Sequence, residues 1–506
     1  MVLGQTETLA LAIFTITVCV ALGWCAQITA VRKRRYPPGP PSKPLIGNIM
    51  SIGVPSAWIM FTEYKGKYGD LVYFQGLGKS VLVINSLKAM TDLLEKRANI
   101  YSGRPHLVFA HELMGLDRIF GLRDYGEIWR VERKLAHIVL SPAAVDTYDH
   151  VLEDIAIRYA YDLVKTPEDF YAKLRLATGR ILLAITYGIC PEHEDDEILV
   201  LAEEANQTAQ KAAIPGSYLC DTLPFLKYAP SWVKFKQEAQ YGWDALTNMM
   251  NIPFDRVKRD MEMDIAPPSL VQKLLEDPSG NVENLEDRIK GAAGGMYIAG
   301  TDTTYSTLLV FILAMAENPE VHRRAQAEVD HVVGQDRMPS IGDIPNLPYI
   351  DAVVKEAMRW HPSLPLGAAH TVSEDDEYEG YFIPKGTAVL ANVWSIAFEP
   401  NEKYDPQKFI PERFLDPLQP VVDPSAWAFG FGRRICPGKF LARNSIFALV
   451  TTLLWAFDIS PSPTGSMDMR FTEFLVSVLK PFDCSIIPRS ESKANAIAAR
   501  AIAATT

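Results

Sequence analysis

Apolar residues recur at i, i+3 and i+4 along residues 144–164, 195–213, 232–261 and 349–360, and along Leu285–Glu317 and Pro319–Val333. This spacing puts them on one face of an α-helix, so six long helices are predicted. Strand-like runs are fewer and shorter: Leu71-Val72-Tyr73-Phe74, Ser80-Val81-Leu82-Val83-Ile84, Ala388-Val389-Leu390-Ala391 and Cys484-Ser485-Ile486-Ile487. Gly380-Tyr381-Phe382-Ile383-Pro384-Lys385-Gly386 reads as a turn leading into one of them. The balance predicts a mainly α fold with a minor β portion and no internal repeat.

The pattern changes toward the ends. From Leu9 to Ala26 the chain reads LALAIFTITVCVALGWCA, and the uncharged stretch runs on to Val31. That is about the ~20 residues that a membrane-spanning helix needs. Arg32, Lys33, Arg34 and Arg35 follow at once. Positive charge beside a span stays cytosolic, whereas a cleaved signal carries its basic residues before the apolar run. A single-pass anchor is therefore predicted, with the short tail holding Glu7 in the lumen. Pro37-Pro38-Gly39-Pro40-Pro41 predicts a stiff, extended spacer. Residues 214–236 carry Pro215, Pro224 and Pro230 among Tyr218, Leu219, Phe225, Tyr228 and Trp232. Such a loop is too apolar to be plainly solvated; it either dips into a membrane surface, roofs a greasy pocket, or packs into the core. Residues 490–506 are alanine-rich and polar, without a motif, and a frayed or disordered tail is expected.

A chain of 506 residues, 48% hydrophobic, corresponds by length to roughly three domains. The motifs described next lie between Trp129 and Cys436 and are useful only if they converge, which favours one body over residues 46–489 preceded by an anchor (1–31) and a basic, proline-rich hinge (32–45). The net charge of −11, with no long basic block, argues against a nucleic-acid partner. The six cysteines, Cys19, Cys25, Cys190, Cys220, Cys436 and Cys484, include no CxxC pair, so free thiols in a reducing compartment are expected.

Among those thiols Cys436 stands apart. It lies in Phe429-Gly430-Phe431-Gly432-Arg433-Arg434-Ile435-Cys436-Pro437-Gly438, just before an apolar helical run from Phe440. Gly432 and Gly438 permit tight turns and close backbone approach, and the following helix turns its positive end toward the sulfur. A thiolate metal ligand needs this setting, whereas a lone cysteine is more often a small buried apolar group. Ala299-Gly300-Thr301-Asp302-Thr303-Thr304 interrupts the long apolar helix, where a glycine alone costs about 1 kcal/mol. Gly300 leaves room for a small ligand, Thr303 can hydrogen-bond it, and Asp302 can relay protons; the alternative is a kink from threonines bonding back to carbonyls. Glu356 and Arg359, three apart on a helix, share a face.

The cysteine loop resembles the haem-binding segment of the cytochrome P450 family, and the other family signatures can be found one by one. Glu356-Ala357-Met358-Arg359 resembles its ExxR motif, and Pro411-Glu412-Arg413-Phe414 the segment that supplies Arg413 as third member of a structural network. Asp302-Thr303 resembles its oxygen-activating acid–alcohol pair, and Trp129-Arg130-Val131-Glu132-Arg133 its WxxxR helix. The resemblance spans essentially the whole chain and is nearest to fungal members of secondary metabolism, such as the O-methylsterigmatocystin oxidoreductase group. It implies a P450 fold with an N-terminal transmembrane helix, and haem b ligated by Cys436, with Phe429, Gly432 and Gly438 shaping the loop. Arg434, Trp129 and Arg133 would hold propionates; His370 is a further donor or simply a satisfied loop histidine. The implied function is a monooxygenase that inserts one atom of dioxygen into a lipophilic or aromatic small molecule. Electrons would come from NADPH through cytochrome P450 reductase, docked on Arg130, Lys134, Arg433, Lys439 and Arg443, at the cytosolic face of the endoplasmic reticulum. The pocket is expected from residues 103–118, 200–218, 297–303, 364–370 and 474–478, with Met296, Phe311 and Met315 in the core. A haem-thiolate isomerase or dehydratase that uses no dioxygen is one alternative, against which Asp302-Thr303 argues; a non-catalytic, membrane-tethered haem binder is the other. The sequon Asn206-Gln207-Thr208 falls on the cytosolic side and is discounted.

Overall fold

The computed structural model describes residues 34–503, apart from positions 45, 53, 55, 215, 277–281, 335–336 and 463–468. The predicted anchor lies outside the described residues. The helices that build the body are α1 (Ala57–Tyr68), α2 (Glu127–Leu140), α3 (Asp149–Lys165), α4 (Phe170–Tyr187), α5 (Glu197–Ala212), α6 (Lys234–Glu262), α7 (Leu285–Glu317), α8 (Pro319–Val333), α9 (Pro348–Trp360), α10 (Lys439–Ala456) and α11 (Glu491–Ala503). The strands are β1 (Leu71–Gly76), β2 (Lys79–Ile84), β3 (His370–Thr371), β4 (Asp376–Tyr378), β5 (Tyr381–Ile383), β6 (Ala388–Ala391), β7 (Phe457–Pro461) and β8 (Cys484–Pro488).

The 33 residues of α7 cross the body over about 50 Å at 1.5 Å per residue. Its apolar residues surround the whole axis, and a helix hydrophobic on all sides is stable only inside a protein. Here α2, α4, α9 and α10 pack around it. Its length and composition would also suit a membrane span, but burial in the core accounts for them. A second layer is a four-stranded sheet in the order β1-β2-β6-β3. β1 and β2 pair antiparallel with Leu71 opposite Ile84, through a turn in which Leu77 and Gly78 both take positive φ (50° and 73°), the geometry of a type I′ hairpin. β2 pairs parallel with β6, Val83 beside Leu390, and β3 antiparallel with β6, which brings His370 to the sheet edge.

Three expectations change. The proline stretch is not a free-standing spacer but a strap across β1. The Tyr73 amide donates to Pro38 O (2.8 Å), Asn48 Nδ2 to Pro40 O (2.7 Å), and a Cβ on Gly39 would lie 2.0 Å from Tyr73 O. An extended proline segment has free carbonyls, and a sheet edge supplies their donors. The expected disordered tail is not seen over its described residues: Glu491–Ala503 is a helix docked on α3. Ile497 is fully buried, and Lys493 Nζ donates to Trp455 O (2.8 Å) and pairs with Asp330. Alanine is the best helix former, so this composition signalled a helix whose apolar stripe is merely narrow. Residues 214–236 form two short helical turns, Leu219–Thr222 and Pro224–Tyr228, and none of their described residues lines the main cavity. Cys220 and Asp221 are buried while Leu219, Phe225, Tyr228 and Trp232 stand exposed.

Candidate active site

The cysteine loop is set by two glycines with positive φ. Gly430 and Gly432 (φ 74° and 54°) turn the chain back so that the Cys436 amide donates to Phe429 O at 2.7 Å. Any Cβ on Gly432 would sit 2.3 Å from Leu94 O, so this position serves close approach to the turn Thr91–Lys96. Gly438 starts α10, and its backbone amide faces the sulfur. Burial raises the pKa of Cys436, against the lowering influence of the Gly438 amide, Arg133 and Lys439. Arg133 fastens the loop to α2 by donating from Nη2 to Ile435 O at 2.7 Å.

Cys436 opens into a cavity of about 340 Å³, lined chiefly by apolar side chains. Phe429, Gly438, Trp129, Arg133, His370, Arg434 and Thr303 all reach it, although they come from sequence positions more than 300 apart. The sequence had flagged residues 103–118 for its wall; of these only Arg104 contributes, and Ile119–Leu122 takes the place of the rest. Met296 lines the cavity and is not simply core, whereas Phe311 and Met315 are core residues as expected.

The basic residues along this wall lack the usual compensation. No described lining residue is an Asp or Glu. Arg434 is buried, with Nε donating to Ser102 O (2.8 Å) and Nη2 to Arg123 O (3.0 Å), and Nη1 has no partner. Its guanidinium lies 4.6 Å over the Trp129 ring. Arg104, which no motif singled out as a cationic donor, donates from Nη1 to Ala368 O (2.9 Å) and Ala369 O (2.6 Å). Burial, then repulsion from Arg104, pulls the pKa of Arg434 down to about 9, and burial brings that of Arg104 to about 10. His370 Nδ1 pairs with Tyr101 O at 2.7 Å, and burial, reinforced by Arg104, holds the imidazole neutral with a pKa of about 3. Among the described residues Asp124, which accepts from the Arg104 amide (2.9 Å), is the carboxylate that offsets the Arg104 and Arg434 charges. Buried cations paired with carbonyls and one orphan donor make a receptor for an anionic group. Two propionates against Arg104, Arg133, Arg434 and His370 fit that chemistry, and a thiol at the same cavity fits iron.

On the α7 side the residues divide. Thr303 lines the cavity while its Oγ1 donates to Ala299 O at 3.1 Å, the back-bonding pattern. Asp302, one residue earlier, does not line it; its carboxylate is buried and accepts from Arg175 of α4 and Gln210 of α5. Gly300 lines the cavity, as expected of a residue that leaves room for a ligand, and a Cβ there would also lie 2.3 Å from Leu182 Cδ1, so packing of α4 against α7 needs the glycine as well.

Glu356, Arg359 and Arg413 meet in the core, and none of their buried side-chain polar atoms lacks a partner. Arg359 Nε and Nη2 donate to the two Glu356 oxygens (2.7 and 2.9 Å), and Arg413 Nε and the Ile410 amide both donate to Oε1 (3.1 and 2.7 Å). The remaining arginine donors reach Ala397 O, Pro406 O, Lys408 O and Asp405 O, which pins the stretch before the cysteine loop.

Comparison with known proteins agrees with this geometry. A profile of the family described as Cytochrome P450 matches residues 37–485. Cytochrome P450 monooxygenase COX2 of Coprinopsis cinerea is 39% identical over 497 residues, covering 93% of this chain and 94% of the relative. Cytochrome P450 monooxygenase claR of Ampulloclitocybe clavipes is 38% identical over 91% of this chain and 88% of its own length. Tryptamine 4-monooxygenase of Psilocybe cyanescens is 36% identical over 92% and 95%. The chain belongs to the cytochrome P450 family and is an oxidoreductase of its monooxygenase class.

Proposed function

We propose that this chain is a haem-thiolate monooxygenase in which Cys436 ligates the iron and the substrate is a lipophilic or aromatic small molecule. The observation that carries the reading is the uncompensated cluster of Arg104, Arg133 and Arg434 around the cavity that holds Cys436. Haem b, when bound, supplies the dioxygen activation and oxygen insertion. The chain supplies the rest. The Gly438 amide and Arg133 temper the sulfur's charge. The two sides of the cavity, α7 and the cysteine loop, exclude water from the space between them. Thr303 offers a hydroxyl at the wall, and the Asp302 carboxylate behind it is a proton acceptor held by Arg175 and Gln210.

The cysteine face carries Arg130, Lys134, Arg433 and Arg443 exposed and Lys439 half-buried, a fit for an acidic NADPH-dependent reductase. The uncharged run to Val31 and the basic residues after it favour attachment to the cytosolic side of the endoplasmic reticulum membrane. The exposed Leu219, Phe225, Tyr228 and Trp232 are suited to lie in the same interface. A place in fungal secondary metabolism is part of the proposal; one relative, of Psilocybe cyanescens, is named for acting on tryptamine.

The reading is tested on the full-length, haem-loaded protein reduced under carbon monoxide. A red-shifted Soret band that vanishes in Cys436→Ala supports it, and its absence from a folded, loaded sample refutes it. Product that forms only with dioxygen, NADPH and reductase separates a monooxygenase from an isomerase or a passive haem binder. Reversing the charge of Arg130, Lys134 and Arg433 together should slow reductase-driven turnover and remove its salt dependence. Microsomes washed in alkaline carbonate should retain the chain, and release into the wash would count against the anchor.

A further inference from the structure

Of the buried side-chain polar atoms that lack a partner among the described residues, two belong to residues lining the cavity: Arg434 Nη1 and Asn206 Oδ1. The first lies in the cationic cluster and is accounted for by the cofactor. The second is not. Asn206 sits on α5, within the sequon Asn206-Gln207-Thr208, and at 2% exposure it is closed to glycosylation.

The inward stripe of α5 makes the omission informative. Glu203, Asn206 and Gln210 follow one another at spacings of three and four, so they share one helix face. Glu203 pairs with Arg175 at 3.5 Å. Gln210 donates to Asp302 and accepts from the Val476 amide at 3.4 Å. Between them Asn206 lines the cavity with its carbonyl oxygen unmatched. The positions beside it, Ala202, Ala205 and Ala209, are small and buried, and the Gln210 amide on the same face is turned to Asp302. A buried amide left without a partner is disfavoured by about 1–3 kcal/mol, and a helix facing an apolar cavity has no need of one. Such an atom in a ligand cavity is satisfied when the ligand brings the donor.

We propose that Asn206 is a specificity-determining residue that accepts a hydrogen bond from the substrate, and that the substrate is therefore an apolar or aromatic molecule carrying one N–H or O–H donor. The proposal rests on the haem-monooxygenase reading, because it takes the cavity as the substrate site. It selects a class within lipophilic molecules: phenols, alcohols and N–H heterocycles bind, and their methylated counterparts bind poorly.

Matched probes decide it. Dissociation constants for indole against 1-methylindole, and for 4-phenylphenol against 4-methoxybiphenyl, are read from the shift of the Soret band of full-length haem-loaded protein. Apolar burial alone favours the methylated member by roughly fourfold per methyl. A hydrogen bond to Asn206 reverses this, giving the donor-bearing member about five- to tenfold tighter binding. Asn206→Leu should restore the preference for the methylated member, and Asn206→Asp, which keeps the acceptor, should retain the preference for the donor. Asn206→Ala replaces the leucine variant if that protein loads no haem. Equal or methyl-favouring binding in the wild type overturns the proposal, as does a donor preference that survives Asn206→Leu, or a cavity that takes neither member of either pair. These outcomes leave the thiolate band under carbon monoxide intact; loss of that band would instead strike the underlying reading.

Discussion

Two buried clusters of charge lie on either side of the stretch that leads into the cysteine loop, and they are built on opposite plans. In Glu356–Arg359–Arg413 two guanidinium groups share one carboxylate, none of the three residues has a buried side-chain polar atom without a partner, and the spare donors hold the carbonyls of Ala397, Pro406 and Lys408. Around Arg104, Arg133 and Arg434 the partners are neutral carbonyls, no carboxylate lines the space, and one guanidinium nitrogen has no partner. The first cluster is complete in the protein alone, which is what architecture requires. The second is complete only with an anion, which is what a site requires. Burial by itself does not distinguish the two; the matching of partners does.

The largest test breaks the closed cluster. Glu356→Ala leaves two buried guanidinium groups facing each other, and removal of one partner of a buried pair costs about 3–5 kcal/mol. The expected result is little or no soluble haem-loaded protein, and a yield and thermal midpoint near those of the wild type would show that the network is not what holds this region. Arg359→Lys is milder. It keeps the charge but replaces a fork with a point, so Ala397 O, Pro406 O and Lys408 O cannot all be reached, and about 2 kcal/mol of stability should be lost in denaturant titration. An unchanged midpoint would mean that charge alone suffices.

The open cluster should respond the other way. Arg434→Leu removes an uncompensated buried cation, so the unloaded protein should be no less stable. Its affinity for haem should fall roughly 10- to 100-fold, the worth of a charge-assisted hydrogen bond. A variant that unfolds yet keeps its affinity for haem would erase the contrast between the clusters. His370→Leu is the smallest change, with a loss of about fivefold in haem retention. It also carries a pH signature. The folded imidazole has a pKa of about 3, below its unfolded value near 6.5, so its contribution is present above about 6.5 and disappears as the pH falls toward 3. The fall in thermal midpoint between pH 6.5 and 4.5 should therefore be shallower in His370→Leu; identical slopes would remove His370 from that balance.

Much of the site could be read before folding because its motifs are local. Gly430, Gly432, Cys436 and Gly438 encode the loop within ten residues, since a positive φ and a close backbone approach are demands on single positions. The helices Leu285–Glu317 and Pro319–Val333 fall where the periodicity put them, because long amphipathic or wholly apolar runs have few alternatives. Less was legible where meaning depended on distant neighbours. Arg104 follows Ser102 and Gly103 and belongs to no short motif, and that Gly300 also admits Leu182 from α4 could not be read from its own helix. Asp302 seemed to face the chemistry, but Arg175 and Gln210, 127 and 92 positions away in the chain, hold its carboxylate off the cavity wall.

The sequence by itself determined the chemistry of the cysteine loop, the helical class of the fold and the pairing of Glu356 with Arg359, because each depends on spacings of a few residues. Only the tertiary structure decided which charges are cancelled and which are left open. Compensation in a low-dielectric interior depends on distance in space, and Ser102, Arg123, Ala368 and Tyr101 come within hydrogen-bonding distance of Arg434, Arg104 and His370 only after the chain has folded.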